Sequence, residues 1–127
     1  AAHSTLEGMP VRVIYKLVDR RAWQAAEAVG QFTGAPVDAR DGYIHCSTAA
    51  QVAETARRHF AGVDHLLLVA VHADALGDTL RWEPSRGGAL FPHIYAPLPM
   101  RAVLWCCPLP TGSDGAHVFP ALPDDVG

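Results

Sequence analysis

The sequence predicts a small α+β domain, and three observations carry that fold class. Residues 13–15 and 43–47 hold β-branched, aromatic and alternating side chains of the kind that form strands. Residues 20–29 and about 48–61 carry small and apolar residues at helical spacing between cap signals. After residue 62 the strand-like segments follow one another with only short turns between them, which argues against a regular doubly wound parallel sheet. Two helices and about five or six strands are expected. They form one domain over residues 11–108, with a flexible tail at 1–10 and a loosely packed one at 109–127.

Residues 11–17, with Val13, Ile14 and Tyr15, form the first strand. Asp19 is a good N-cap for a helix over residues 20–29, where Trp23, Ala26 and Ala28 or Val29 supply an apolar stripe and Gly30 a stop. Residues 31–41, with Gly34, Pro36 and Asp41, read as a loop. In the strand that follows, Tyr43, His45 and Ser47 share one face, and Ile44 and Cys46 point into the core. Ser47 or Thr48 then caps the second helix, Thr48 and Gln51 matching a capping box.

Residues 65–71 are an apolar, partly β-branched run, as a central strand requires. Residues 74–77 suggest one helical turn. Residues 79–83 form the next strand, with Leu80 and Trp82 on one face and Arg81 and Glu83 on the other. A glycine-bearing loop covers 84–92. Phe91 to Tyr95 follows, and Pro97 and Pro99 discourage regular pairing after it. Residues 102–108 read as the last strand.

A chain of 127 residues that is 50% hydrophobic and 18% charged is globular rather than disordered. No stretch supplies the roughly 18 uninterrupted apolar residues of a membrane helix, so no membrane partner is expected. The net charge of −3 and scattered arginines, with Lys16 the one lysine, exclude generic nucleic-acid binding. Cys46, Cys106 and Cys107 form no even disulfide framework, and the first residues lack a basic region followed by an apolar stretch. A reducing, cytoplasmic setting is expected.

Three segments place polar side chains on one face: Tyr43, His45 and Ser47; Arg81 and Glu83; His93 and Tyr95. A cleft lined by His45, Glu83 and His93 would have the groups to bind an anionic or ribose-bearing small molecule and move a proton. The alternative is that these strands are amphipathic, with their polar faces in water. No HExxH helix or close Cys/His cluster exists, so no metal is expected. Cys46 points away from His45 and reads as a small buried hydrophobe. A nucleophile elbow, a dinucleotide fingerprint and a Walker loop are all absent.

Ile14-Tyr15-Lys16, the run from Gly42 to Thr48, Arg81-Trp82-Glu83-Pro84 and Phe91 to Tyr95 with Pro97-Leu98-Pro99 occur in that order. Together they resemble the small bacterial family catalogued as domain of unknown function 952, over about residues 11–108. The resemblance implies a curved or split, mainly antiparallel sheet similar to ADP-ribosyltransferases and RNA 2′-phosphotransferases. It also implies a cleft for NAD, ADP-ribose or a related nucleotide, with transferase or glycohydrolase-type activity. His45 would then hold a ribose, with Ser47 and Thr48 beside it. Tyr95 would stack on the base, Tyr43 and His93 would line the site, and Glu83 would be the catalytic acid. Arg81 or the helix start at Ser47 would hold a phosphate. The last strand, where such transferases usually carry their acidic residue, has no Glu. Two other classes stay open: a non-catalytic small-ligand module, and a structural or interaction domain with no ligand. Oligomeric state is not predicted.

Overall fold

The computed structural model describes residues 11–123 and 125–126, so the tail expected at residues 1–10 lies outside the described residues. In chain order the elements are β1 (Val11–Asp19), α1 (Arg20–Val29), β2 (Gln31–Phe32), α2 (Pro36–Asp41), β3 (Ile44–His45), α3 (Ala49–His59), β4 (Leu66–His72), β5 (Leu80–Pro84), β6 (Leu90–Ile94), β7 (Leu98–Pro99), β8 (Val103–Pro108) and β9 (Asp125–Val126). Short 3-10 turns occupy Ala73–Thr79, Arg86–Gly88 and Met100–Ala102.

Strand alternation builds the core. In the four-stranded antiparallel sheet, ordered β8-β4-β1-β9, Tyr15 of β1 lies opposite Ala70 of β4. Val13, Tyr15 and Leu17 join Leu66, Leu68 and Ala70 on one face, against Val52 and Ala56 of α3. Ile14, Val18, Leu67, Val69 and Val71 line the other face, with Trp23 of α1, Ile44, Cys46 and Ile94. Because both faces of β4 are covered, its sequence is a continuous apolar run without polar alternation. Each aliphatic side chain so buried contributes about 1.5–3 kcal/mol. Helix α1 starts where Asp19 accepts bonds from the backbone N–H groups of Arg21 and Ala22, at 3.0 and 3.2 Å.

A second antiparallel sheet, ordered β3-β6-β5, packs Ile44 and Ile94 against the first. The two sheets are tied by paired backbone bonds between Tyr15 and Ser47, at 2.7 and 2.8 Å. The result is a small α+β domain of mixed helices and antiparallel sheets.

The expected loop over 31–41 contains a third helix, α2, so the count of two helices is corrected. Pro36 opens it with a preset φ, and the Asp38 carboxylate accepts from the Ala35 N–H at 2.8 Å. Six residues are too few to show a helical period. The two-residue strands β2, β7 and β9 raise the strand count above the expected five or six. One of them contains Pro99, where regular pairing was not expected: Leu98 and Pro99 lie opposite Phe32 and Gln31. From residue 109 to 123 the chain is largely exposed, but Leu109 is buried, and Phe119 and Leu122 pack against the α3 side of the core.

Candidate functional site

Pairing in the second sheet brings the polar side chains together. His45 on β3 lies directly opposite His93 on β6, which in turn lies opposite Arg81 on β5. Directly opposed and diagonal side chains on one sheet face touch. The His45 and His93 rings are 5.6 Å apart between centroids, and Tyr43 stacks on His93 at 4.1 Å. Tyr43 also reaches Tyr95 at 5.2 Å, and the Arg81 guanidinium sits 4.6 Å over the Tyr95 ring.

Beneath His45 lies a buried ion pair. Lys16 shares the inward face of β1 with Ile14 and Val18, and a charge there needs a full set of partners. Its Nζ lies 3.0 Å from Asp38 Oδ2 and donates to the His45 carbonyl at 2.8 Å. Asp38 Oδ1 accepts from the His45 backbone N–H at 3.0 Å and lies 2.7 Å from His45 Nδ1. Burial, the largest influence, pushes the Asp38 carboxyl up. The bond to the His45 ring, the Lys16 charge and two backbone N–H groups outweigh it and hold the group well below the usual carboxylate range.

Gly34 makes room for this: a Cβ there would lie 2.9 Å from that of Asp38. On the other side of the ring, His45 Nε2 is 2.9 Å from Asp41 Oδ2. Arg40, chiefly through its hydrogen bond, keeps the Asp41 carboxyl low.

Glu83 serves the second histidine. Its Oε1 accepts from the Tyr95 hydroxyl at 2.7 Å and lies 2.8 Å from His93 Nδ1. These bonds, that of Tyr95 foremost, lower the Glu83 carboxyl, and the same contact raises the Tyr95 phenol. Burial raises the Tyr43 phenol, with help from the charges of Asp41 and Glu83.

A cavity of about 500 Å³ opens beside these groups, lined among others by His45, His93, Ser47, Thr55, Arg40 and Arg86. Ser47 Oγ and Thr55 Oγ1 are 3.1 Å apart. Tyr43, Thr48, Arg81, Glu83 and Tyr95 are not part of that lining. Thr48 caps α3, its N–H donating to Gln51 Oε1 at 3.0 Å. Glu83 reaches the cavity only through His93. Among the described residues no group of three or more His, Cys, Asp or Glu is placed to hold a metal ion. No described helix is long and apolar enough to cross a membrane.

A family profile described as "Protein of unknown function (DUF952)" matches residues 17–106. The chain belongs to the DUF952 family. It is similar to a crystal structure of protein CC0527 from Caulobacter crescentus, with a TM-score of 0.81 and 46% identity over 84% of this chain and 93% of that one. It is also similar to the solution NMR structure of CC0527, with a TM-score of 0.75 and 47% identity over 82% and 90% of the two chains. No curated protein matches the chain.

Sequence reasoning missed four side chains that shape the site of this DUF952 protein: Asp38, Asp41, Arg40 and Arg86. All four lie in segments read as loops, 31–41 and 84–92. Lys16 did leave a signal, as a lone lysine within an apolar strand on the parity of Ile14 and Val18. A lysine buried there requires a carboxylate from elsewhere, but the strand does not say which one.

Proposed function

We propose that this DUF952 protein binds a small anionic, ribose-bearing ligand of the NAD or ADP-ribose class in the cavity beside His45. The observation that carries this is the cross-strand pairing of His45 and His93 in the wall of a cavity of about 500 Å³, which also displays Arg40 and Arg86. That volume falls within the roughly 300–1,000 Å³ of small-ligand pockets. In this reading His45, anchored through Nδ1 by buried Asp38, exchanges its Nε2 contact with Asp41 for a ribose hydroxyl. Tyr43 and Tyr95 supply an aromatic edge beside it, steadied by Arg81. The fold likeness to ADP-ribosyltransferases that the sequence resemblance implies supports the choice of ligand class as fold-level analogy.

Calorimetry with NAD, ADP-ribose and nicotinamide tests the reading. Binding is expected for the first two, weakened about tenfold in His45→Ala, as loss of a bond to a polar side chain predicts. Absence of heat at millimolar ligand ends it.

One observation favours a second reading, turnover. His93 lines the cavity while a carboxylate, Glu83, holds its Nδ1, the arrangement that orients an imidazole for proton transfer. Water would add to the ribose anomeric carbon and give a proton to His93 Nε2. The bond to nicotinamide would break with its electron pair leaving on nicotinamide. Glu83 would be a positioning residue, since it lies outside the cavity lining. Mass spectrometry of NAD incubated with the protein decides: released nicotinamide supports turnover, and intact NAD in a binding-competent sample leaves a binding module.

A further inference from the structure

We propose that Arg86 is the phosphoryl-binding residue of the cavity. This rests on the reading of the cavity as a nucleotide site and names the group that holds the ligand's anion, a role the sequence offered to Arg81 or Ser47.

Charge pairing around the cavity carries the inference. Lys16 is matched by Asp38 at 3.0 Å, and Arg40 is matched by Asp41 at 3.2 Å. The outward cations of α3, Arg57 and Arg58, are matched by Glu54. Among the described residues no carboxylate oxygen lies within ion-pair distance of Arg86. Arg81 has no such carboxylate partner either, but it lies over Tyr95 and outside the cavity lining.

Arg86 is also held in place. Its guanidinium carbon lies over the Phe91 ring, 4.9 Å from the centroid, and Nη1 makes a long bond of 3.4 Å to Thr55 Oγ1. The turn that carries it is closed by bonds of 2.9 Å between Ser85 and Ala89 and between Gly88 and Ser85. A guanidinium has five N–H donors in a planar fork, and only one is engaged here. The remaining donors, half-buried in a cavity wall beside two hydroxyls, match the oxygens of a phosphate or diphosphate. The contact with Phe91 and the bond to Thr55 restrict the side chain, so less freedom is lost when an anion arrives.

The test is calorimetry on the full chain with inorganic pyrophosphate, ADP and adenosine as probes. Pyrophosphate and ADP are expected to bind, ADP about tenfold or more tighter than adenosine, with affinity falling as sodium chloride is raised. Arg86→Gln should abolish the advantage of ADP over adenosine, and Arg86→Lys should keep part of it by charge alone. Arg101→Gln makes the same change in net charge at an exposed residue outside the cavity and should leave that advantage intact. Failure of the wild-type chain to bind pyrophosphate at millimolar concentration overturns the subsite. So does an equal loss in Arg86→Gln and Arg101→Gln. If NAD and ADP-ribose fail to bind while pyrophosphate binds in an Arg86-dependent way, the nucleotide reading falls and the anion subsite stands.

Discussion

Asp38 is the residue on which the site depends most directly. Its carboxylate joins α2, β1 and β3 through Ala35, Lys16 and His45, with its side chain only 1% exposed. Removing one member of a buried pair leaves the other charge without compensation. Asp38→Asn is therefore expected to cost about 3–5 kcal/mol in urea unfolding. The effect has a pH signature. The folded-state pKa of Asp38 is depressed, so its contribution is complete above the unfolded value of about 3.9 and fades as pH falls through and below it. The urea midpoints of wild type and Asp38→Asn should accordingly converge as pH is lowered from about 5 towards 2. A gap that stays constant over that range would assign the loss to packing.

The element that sets the geometry of His45 is α2, a helix of six residues that cannot be stable alone. It is stopped by Gly42 at φ 89°, from which the chain turns directly into the strand that carries His45. The N–H groups of Gly42 and Tyr43 both return to the Asp38 carbonyl, at 2.8 and 3.2 Å. No atom lies within 4 Å of where a Cβ on Gly42 would stand, so substitution there is opposed by backbone conformation and not by a clash. Gly42→Ala should cost roughly 1–2 kcal/mol by thermal or urea unfolding, and Gly42→Asn less, since asparagine tolerates the left-handed region. Equal losses in the two variants would point to a requirement other than φ.

Across the whole molecule, the segment after Pro108 closes the face of the first sheet that α3 leaves uncovered. Phe119 and Leu122 pack on that face, and the Tyr15 hydroxyl donates to the Pro123 carbonyl at 2.8 Å. Deleting residues 110–127 should lower unfolding stability by roughly 2 kcal/mol, from partial loss of two large apolar contacts. An unchanged urea midpoint would make that segment dispensable to the core.

Local signals made much of the fold legible. The limits of α1 followed from Asp19 and Gly30, the central position of β4 from its unbroken apolar run, and the capping of α3 from Thr48 and Gln51. These depend on neighbours in the chain, on side-chain parity and on backbone donors at a helix end, all of which are written in short windows. Helix α2 was not legible, because it draws its support from Lys16, some twenty residues away. The same limit applied to the site. Residue type and parity marked Tyr43, His45, Arg81, Glu83, His93 and Tyr95 as polar faces of three separate segments. Their assembly depended on β6 lying between β3 and β5, so that His45 faces His93 and Glu83 reaches it diagonally. That pairing also turned Glu83 towards His93 and left Arg86 facing the cavity. Contacts between strands tens of residues apart are set by which apolar faces bury together, and no local pattern encodes that choice.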